Sequence, residues 1–275
     1  MAPLLVNDRR LRAGLLVSFV AAVFVVAPLS SMATAATKTC GVRNATLGKS
    51  YRTSTGAGLQ IAIDAARPGD TIAVRGRCVG NYSIDTSLTL VGRTTSSFPT
   101  ATLDGGRTGT VVSVTAADVT LDGLLITNGS AGGVANTAGT VRVIRGTISG
   151  NTTAGNGGGL STSLGGSVTL TTSTVSGNSA VNGGGIAAGF GTVTLSGSSV
   201  GGNTASASGG GVYNSGGTVG LVNSQVSGNT ANPTLGSGGG IFNNTSTFVV
   251  GIITLDAGSS VTGNSPDDCV GCIGI

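Results

Sequence analysis

Short stretches in which every second residue is apolar recur in the second half of the chain. They are SVTLTTS (167–173), TVTLSGS (192–198) and TVGLVNS (218–224). Because side chains alternate between the two sides of a β-strand, this pattern predicts three strands that each bury one side. The residues predicted to face inward are Val168, Leu170, Val193, Leu195, Val219 and Leu221.

Two further motifs repeat between these strands with nearly the same period. GGG followed by an aliphatic residue occurs at 157–160, 183–186, 209–212 and 238–241, at spacings of 26, 26 and 29 residues. An aliphatic-x-Gly-Asn motif ends at Asn151, Asn178, Asn203, Asn229 and Asn264. Each unit therefore holds three short strands, which predicts an all-β parallel solenoid. Its asparagines would stack in register, and we expect their amides to form a hydrogen-bonded ladder.

The solenoid is expected to extend beyond the regular repeats. Between residues 70 and 151 the chain shows similar short strands and turns with weaker repetition. We predict a β-helix over 71–265 with about eight coils, three short strands per coil and a spacing of about 4.8 Å between coils.

Both ends of a solenoid core must be covered. At the N-terminal end we predict a cap over 36–70 with a short helix over 56–67, begun by Ser54 or Thr55. The apolar residues of this helix recur at helical spacing and would cover the first coil. They are Leu59, Ala62, Ile63 and Ala66. At the other end we expect the tail, 266–275, to close the core.

Four cysteines lie in two pairs near the ends of the predicted solenoid. An even number in an exported chain predicts disulfides, and we expect the pairs Cys40–Cys78 and Cys269–Cys272. A redox or metal site is the alternative for the C-x-x-C motif of Cys269 and Cys272. Since the chain has no histidine and a single C-x-x-C, we expect neither a metal nor a cofactor.

The first 35 residues have the pattern of a secretory signal peptide. A basic start is followed by an apolar run over 13–28 and by Ala33-Thr34-Ala35, which fits a cleavage site. An uncleaved N-terminal anchor is the alternative. No other apolar stretch is long enough to span a membrane. We therefore expect a secreted protein or one held at the cell surface.

Charge limits the chemistry that the predicted β-helix can perform. Removing residues 1–35 would leave a net charge of +2, which does not favour nucleic-acid binding. Residues 146–255 contain no Asp, Glu, Lys or Arg. General acid–base catalysis needs such groups, so an enzyme site would have to lie before or after this segment.

The best candidates for chemistry are Asp104 and Asp122, each within a TLDG sequence. Stacked on neighbouring coils, they would form a carboxylate pair about 5 Å apart, as glycosidases use, with Arg107, Arg142 or Arg145 as a cation for a uronate. The alternative is that each Asp-Gly is a turn in which the carboxylate accepts local backbone N–H groups.

Two aromatic residues occupy the same position of successive repeats, directly after GGG and an aliphatic residue. Tyr213 and Phe242 are candidates for stacking against a sugar, or they pack against each other between coils.

Several of these stretches resemble known families. Residues 59–92, LQIAIDAARPGDTIAVRGRCVGNYSIDTSLTLVG, resemble the N-terminal capping region of right-handed parallel β-helix proteins of the pectate-lyase-like superfamily. VSGNSAVNGGGI (175–186) is similar to the FxxN and GGA[ILV] repeats of chlamydial polymorphic outer-membrane proteins, with Val175 in place of Phe and Gly185 in place of Ala. The tail from Pro266 resembles that of small exported bacterial β-helix proteins.

These resemblances imply a right-handed parallel β-helix and, through the chlamydial repeats, adhesion. The enzymes of the superfamily carry histidine-containing or paired-aspartate signatures that this chain lacks. We therefore expect a non-catalytic exported β-helix with a structural, adhesive or glycan-binding role, and a polysaccharide or a cell-surface component as its partner. The alternative is a polysaccharide lyase or glycoside hydrolase.

Flat rows of Thr and Ser also suggest binding to ice or another ordered surface. We expect these rows to shift between coils, with Thr169 and Thr171 against Thr194 and Ser196, which disfavours this function.

Overall fold

The computed structural model describes residues 40–51, 56–97, 99–234, 238–246 and 249–272. The predicted signal peptide, 1–35, lies outside the described residues. In chain order, the elements are β1 (Cys40–Asn44), β2 (Lys49–Tyr51), α1 (Ala57–Asp64), β3 (Asp70–Val79), β4 (Tyr82–Ile84), β5 (Leu88–Gly92), β6 (Thr102–Asp104), β7 (Val112–Thr115), β8 (Asp118–Asp122), β9 (Leu125–Thr127), β10 (Val134–Thr137), β11 (Thr140–Ile144), β12 (Thr147–Ser149), β13 (Leu160–Ser163), β14 (Ser167–Thr171), β15 (Thr174–Ser176), β16 (Ser179–Ala180), β17 (Ile186–Gly189), β18 (Thr192–Ser196), β19 (Ser199–Gly201), β20 (Thr204–Ala205), β21 (Val212–Ser215), β22 (Thr218–Val222), β23 (Gln225–Ser227), β24 (Ile241–Asn243), β25 (Thr245–Ser246), β26 (Val249–Val250), β27 (Ile252–Leu255), β28 (Ser260–Thr262) and β29 (Cys269–Val270).

These strands form three parallel faces of a solenoid. Face 1 contains the first half of β3 and then β5, β8, β11, β14, β18, β22 and β27. Face 2 contains the second half of β3 and then β6, β9, β12, β15, β19, β23 and β28. Face 3 contains β4, β7, β10, β13, β17, β21, β24 and β29. The rod makes about seven turns, close to the eight coils predicted, and its architecture matches a right-handed parallel β-helix.

The predicted alternation sets which side chains form the core. Val168 pairs with Val193 and Val193 with Val219 in exact register, and all three are fully buried. Thr169 and Thr194 lie between the inward residues and point outward. The interior is thus a stack of small aliphatic side chains, in which each coil covers the coil before it.

A helix covers the N-terminal end of this stack, as predicted. α1 buries Leu59, Ala62 and Ile63 and is shorter than the predicted 56–67. Gly56 begins the helix without a side-chain cap, and the predicted capping residues, 54 and 55, lie outside the described residues. No helix in the described part of the chain has the length and apolarity needed to cross a bilayer.

Two disulfides join the cysteines in the predicted pairs. Cys40–Cys78 ties β1 to β3, with which β1 also pairs antiparallel. Cys269–Cys272 closes a small loop at the other end.

The described part of the C-terminal tail adds β29 to face 3. Cys269 and Cys272 of this tail pack against the core. Closing of the core by the whole tail, 266–275, stays a prediction, since residues 273–275 lie outside the described residues. The inward side chains Ile253, Leu255 and Val261 remain partly exposed. The tail extends the solenoid by one strand because its Cys269 pairs in register with Ile241.

Candidate functional site

The corner between faces 1 and 2 forms a polar concave surface along the repeated coils. In successive coils the chain turns at Thr172, Gly197 and Asn223, each with a positive φ. A serine follows each turn residue and is buried, and the next residue begins a face 2 strand. The corner therefore repeats one local conformation in each coil.

The buried serines form a hydrogen-bonded ladder at this corner. The backbone N–H of Ser173 donates to Oγ of Ser198, that of Ser198 to Oγ of Ser224, and that of Ser224 to Oγ of Ser259, at 3.0–3.1 Å. The serine hydroxyls in turn donate to backbone carbonyls, as Ser198 does to Leu170 at 3.1 Å. Sequence reasoning missed this ladder, although each alternating segment ends in the serine that forms it.

Above this ladder lies an open groove of about 500 Å³ that spans four coils. The serines form its floor, and hydroxyl and amide side chains line its rim. Ser199 donates to Thr174 across the coils at 3.3 Å. Asn223 and Gln225 are exposed, and their side-chain amides have no hydrogen-bond partner among the described residues. The groove thus offers neutral donors and acceptors to a ligand.

A carboxylate marks the C-terminal end of the groove. Asp256 accepts hydrogen bonds from the Ser259 hydroxyl at 2.6 Å and from the Asn223 backbone N–H at 3.0 Å. The Ser259 bond and then the Asn223 bond lower the pKa of Asp256 below its ordinary value. These contacts hold the turn at Asn223, which continues the corner into the last coil.

An ion pair marks the N-terminal end of the same corner. Nη2 of Arg145 lies 2.6 Å from both carboxylate oxygens of Asp122. Arg145 occupies, one coil earlier, the turn position that Thr172 occupies in the groove. Its side chain is 64% exposed, so the pair is a surface contact.

The structure corrects the predicted pairing of Asp104 with Asp122. Asp104 ends β6 on face 2, where its neighbour in the next coil is Thr127. Asp122 ends β8 on face 1, between Val91 and Ile144. The two carboxylates do not stack, because the TLDG sequences belong to different faces of the coil.

Asp104 instead holds a turn, as the alternative interpretation expects. Its Oδ1 accepts the Gly106 backbone N–H at 2.8 Å, and its Oδ2 accepts Arg77 Nε at 2.7 Å and Asn128 Nδ2 at 2.8 Å. Burial would raise the pKa of Asp104, but the bonds from Arg77, Gly106 and Asn128 outweigh it and lower that pKa. A carboxyl held ionised in this way is a poor general acid.

The other predicted site residues lie apart. Arg142 is exposed in β11 on face 1, beside Thr120 and Thr169, and it contacts neither carboxylate. Among the described residues, no group of three or more Asp, Cys, Glu or His side chains lies close enough to hold a metal ion.

Face 3 carries the predicted aromatic pair. The rings of Tyr213 and Phe242 stack nearly parallel, with centroids 5.6 Å apart. They pack against each other between coils and lie on a different side of the rod from the groove. Stacking against a sugar by their remaining faces stays a prediction.

The rows of Thr and Ser on face 1 do not shift between coils. Thr169 pairs with Thr194 and Thr171 with Ser196, so the expectation of a shift is wrong. The row is interrupted instead, by Arg142 on one side and by Gly220 on the other. An ordered array only two coils wide offers little surface for a lattice.

The predicted asparagine ladder forms, and it lies at the corner between faces 2 and 3. Each side-chain amide donates to Oδ1 of the next asparagine at 2.9–3.0 Å, from Asn151 through Asn178, Asn203 and Asn229 to Asn264. The last of them donates to Asp268 at 3.0 Å. Because the first four side chains are buried, this ladder is structural.

The chain matches no protein-family model, no curated protein and no solved structure. One contact also separates it from the chlamydial repeat pattern. A Cβ added at Gly185, where that pattern has Ala, would lie 2.6 Å from the Gly211 carbonyl oxygen and 2.9 Å from Asn203 Nδ2. The fold is therefore shown by the chain's own structure, and the function must be argued from the site.

Proposed function

We propose that this protein is a non-catalytic exported β-helix that binds a neutral glycan at or outside the cell surface. The observation that carries the proposal is the uncharged groove above the serine ladder, with the exposed amides of Asn223 and Gln225 on its rim. Glycan hydroxyls both donate and accept hydrogen bonds, and the side chains of this rim can do the same.

The groove repeats with the coils, which suits a polymer better than a small molecule. Equivalent rim positions recur at about 4.8 Å along the rod. A chain of sugars lying along the axis would meet a hydroxyl or amide side chain at the same position of each coil, namely Thr174, Ser199, Gln225 and Ser260. The resemblance to exported β-helix proteins and to adhesive repeats supports a role outside the cell, and the predicted signal peptide would direct the chain there.

The enzymatic alternative required Asp104 and Asp122 to lie side by side on neighbouring coils, and they do not. A glycosidase needs two carboxyl groups that face one bond, and Asp104 and Asp122 lie on different faces. Asp104 is also enclosed by three donors. A catalytic role in the pectate-lyase-like superfamily therefore has no support from the described residues.

The test is retention of the purified protein on a panel of insoluble neutral and acidic polysaccharides. In the same tubes, unsaturated uronides and new reducing ends are measured. We expect retention on at least one neutral polymer and no product. Release of product would overturn the non-catalytic proposal, and the absence of retention on every polymer would overturn glycan binding.

A pair of matched variants locates the binding surface. Gln225→Ala removes a free amide from the rim, whereas Thr192→Ala removes an exposed hydroxyl from the opposite corner, between faces 3 and 1. We expect Gln225→Ala to weaken retention roughly fivefold, as loss of one hydrogen bond does, and Thr192→Ala to leave it unchanged. Equal effects of the two substitutions on retention would mean that the polysaccharide binds elsewhere on the rod.

A further inference from the structure

The C-terminal end of the core is open among the described residues. In the coil before it, the inward residues Val219, Leu221 and Val226 are at most 1% exposed. Their successors Ile253, Leu255 and Val261 pair with them in register but are only partly buried. Among the described residues, Cys269 and Cys272 pack against this apolar stack but leave those three side chains partly exposed, and solenoids need covered ends for solubility.

The same end also presents free strand edges. β27, β28 and β29 pair with β22, β23 and β24, and with no later strand among the described residues. Such edges are templates for pairing with another strand. On face 1 the opposite edge of the sheet is β2, which pairs with β1 and with no other described strand. Face 1 therefore has one free edge at each end of the rod.

Charge differs between the two ends. The described residues up to 145 carry nine Lys or Arg and six Asp, a net charge of +3. Beyond residue 145 the charged side chains are Asp256, Asp267 and Asp268, a net charge of −3. The rod is therefore positive towards its N-terminal end and negative at its C-terminal end.

The N-terminal cap offers apolar side chains to match the open end. Leu47, in the turn between β1 and β2, is 41% exposed, and Ile61, on the outer side of α1, is 52% exposed. Exposed Arg43 and Lys49 lie on the strands beside that turn. The cap thus combines an apolar surface with two cations and one exposed carboxylate, Asp64, whereas the other end combines an apolar surface with carboxylates alone.

We propose that copies of this protein stack head to tail, with the open C-terminal coil of one copy against the N-terminal cap of the next. This arrangement covers Ile253, Leu255 and Val261, joins the free edges of face 1 and brings opposite charges together. Tail-to-tail pairing would instead crowd the three carboxylates of each copy against those of the other. Head-to-tail contacts that stack copies along the axis of the rod do not close into a ring, so the product is a filament.

Sedimentation velocity of the purified protein over a range of concentrations tests this assembly. We expect the average sedimentation coefficient to rise with concentration without a limit at the dimer. We also expect sodium chloride at about 1 M, where the screening length is about 3 Å, to weaken association. Association that stops at dimers and strengthens with salt indicates tail-to-tail pairing and overturns the proposal. So does a monomer at every concentration.

Two variant pairs identify the surface. Ile253→Lys places a charge in the open core end, and Ile252→Lys places one on the exposed outer side of the same strand. We expect Ile253→Lys to weaken association roughly tenfold or more and Ile252→Lys to leave it unchanged. If Ile253→Lys does not fold, Asp267→Lys and Asp118→Lys make the same change of charge at the end and in the middle of the rod. Only Asp267→Lys should weaken association at low salt, and equal effects would overturn the proposal.

The same sedimentation experiment tests whether the C-terminal residues of the chain itself cover the core end. The last three residues, 273–275, lie outside the described residues, and a deletion of them shows whether they cover the core end. Association that occurs only after this deletion would mean that the chain covers its own end, and it would overturn the proposal.

Discussion

The first coils and the last coils stabilise the corner between faces 2 and 3 with different contacts. Between faces 2 and 3, the early coils use a charged cluster in which Asp104 accepts hydrogen bonds from Arg77 and Asn128. From Asn151 onward, the same corner is held by a neutral ladder of asparagine amides. The ladder begins where the charged residues end, since residues 146–255 carry none.

The difference shows what regular repetition allows. A ladder needs the same residue at the same place in several consecutive coils, because each side-chain amide donates to the amide oxygen of the next coil. The early coils vary in length and lack that residue, so each corner is stabilised by its own set of partners. The early region also has α1 and a disulfide at its end. We expect covalent and ionic contacts to stabilise the early coils, and neutral hydrogen bonds the late ones.

The largest expected effect comes from removing the covalent link of the early region. The Cys40–Cys78 bridge joins residues 38 positions apart. The double substitution Cys40→Ala and Cys78→Ala should lower the free energy of unfolding by about 4 kcal/mol, because the unfolded chain gains the entropy of that loop. Urea denaturation measures the change.

The matched control is the double substitution Cys269→Ala and Cys272→Ala, whose cysteines are 3 positions apart. Its effect should be smaller by about 2 kcal/mol from loop length alone. Equal losses from the two bridges would contradict the view that the early region depends on its covalent link more than the late region does.

The next effect tests the amide ladder. Asn203→Leu should cost about 3 kcal/mol, because the buried backbone N–H of Asn178 loses its acceptor, and the side-chain amides of Asn178 and Asn229 each lose one hydrogen bond. Thermal unfolding followed by circular dichroism measures the loss. Asn156→Ala is the control: Asn156 is exposed and accepts one bond from Asn182, so its loss should stay within about 0.5 kcal/mol.

A substitution at a glycine beside the ladder tests how closely the late coils pack against each other. Gly185→Ala places a Cβ 2.9 Å from Asn203 Nδ2 and 2.6 Å from the Gly211 carbonyl oxygen, both of which belong to the next coil. We expect a loss of about 1–3 kcal/mol from overpacking. Gly155→Ala, whose Cβ would meet only Thr153 Oγ1 at 3.5 Å, should be nearly neutral. A neutral Gly185→Ala would show that the coils separate easily at the ladder.

The repeats made the late coils predictable and left the early coils ambiguous. Alternation alone predicts Val168 and Leu170 in the core, where both are fully buried, and spacing predicts the asparagine ladder. Both predictions are possible because, in a regular solenoid, the position of a residue in one coil fixes the position of its equivalent in the next coil. Asp104 and Asp122 have the same local sequence, TLDG, yet they lie on different faces. A four-residue match does not fix the face when the coils around it differ in length.

The groove and the open end were beyond sequence reasoning for a related reason. Ser173 and Ser198 are ordinary turn residues in the sequence, and their burial depends on the stacking of the coils. Likewise, the pattern of the last coil is as apolar as that of the coil before it. The described part of the tail pairs with β24 along face 3, and Ile253 is partly exposed.

The smallest effect tests the charged corner through pH. At pH 7, Asp104→Asn should cost about 1–2 kcal/mol, since the bonds from Arg77, Asn128 and Gly106 lose an ionised acceptor. The pKa of Asp104 is lower in the folded protein than its usual value of 3.8. Ionised Asp104 therefore adds stability above that value, and this stability is lost as the pH falls through the lower, folded pKa.

Urea denaturation of the protein and the Asp104→Asn variant from pH 7 to pH 2 measures this loss. The difference in the free energy of unfolding between the protein and this variant should narrow only at the acid end of the range, where Asp104 becomes protonated. Asp122→Asn, which removes an exposed pair, should change stability by at most about 0.5 kcal/mol. A gap that stays constant from pH 7 to pH 2 would mean that the shape of the Asp104 side chain, and not its charge, holds this corner. In that case the early and late coils would use the same kind of contact.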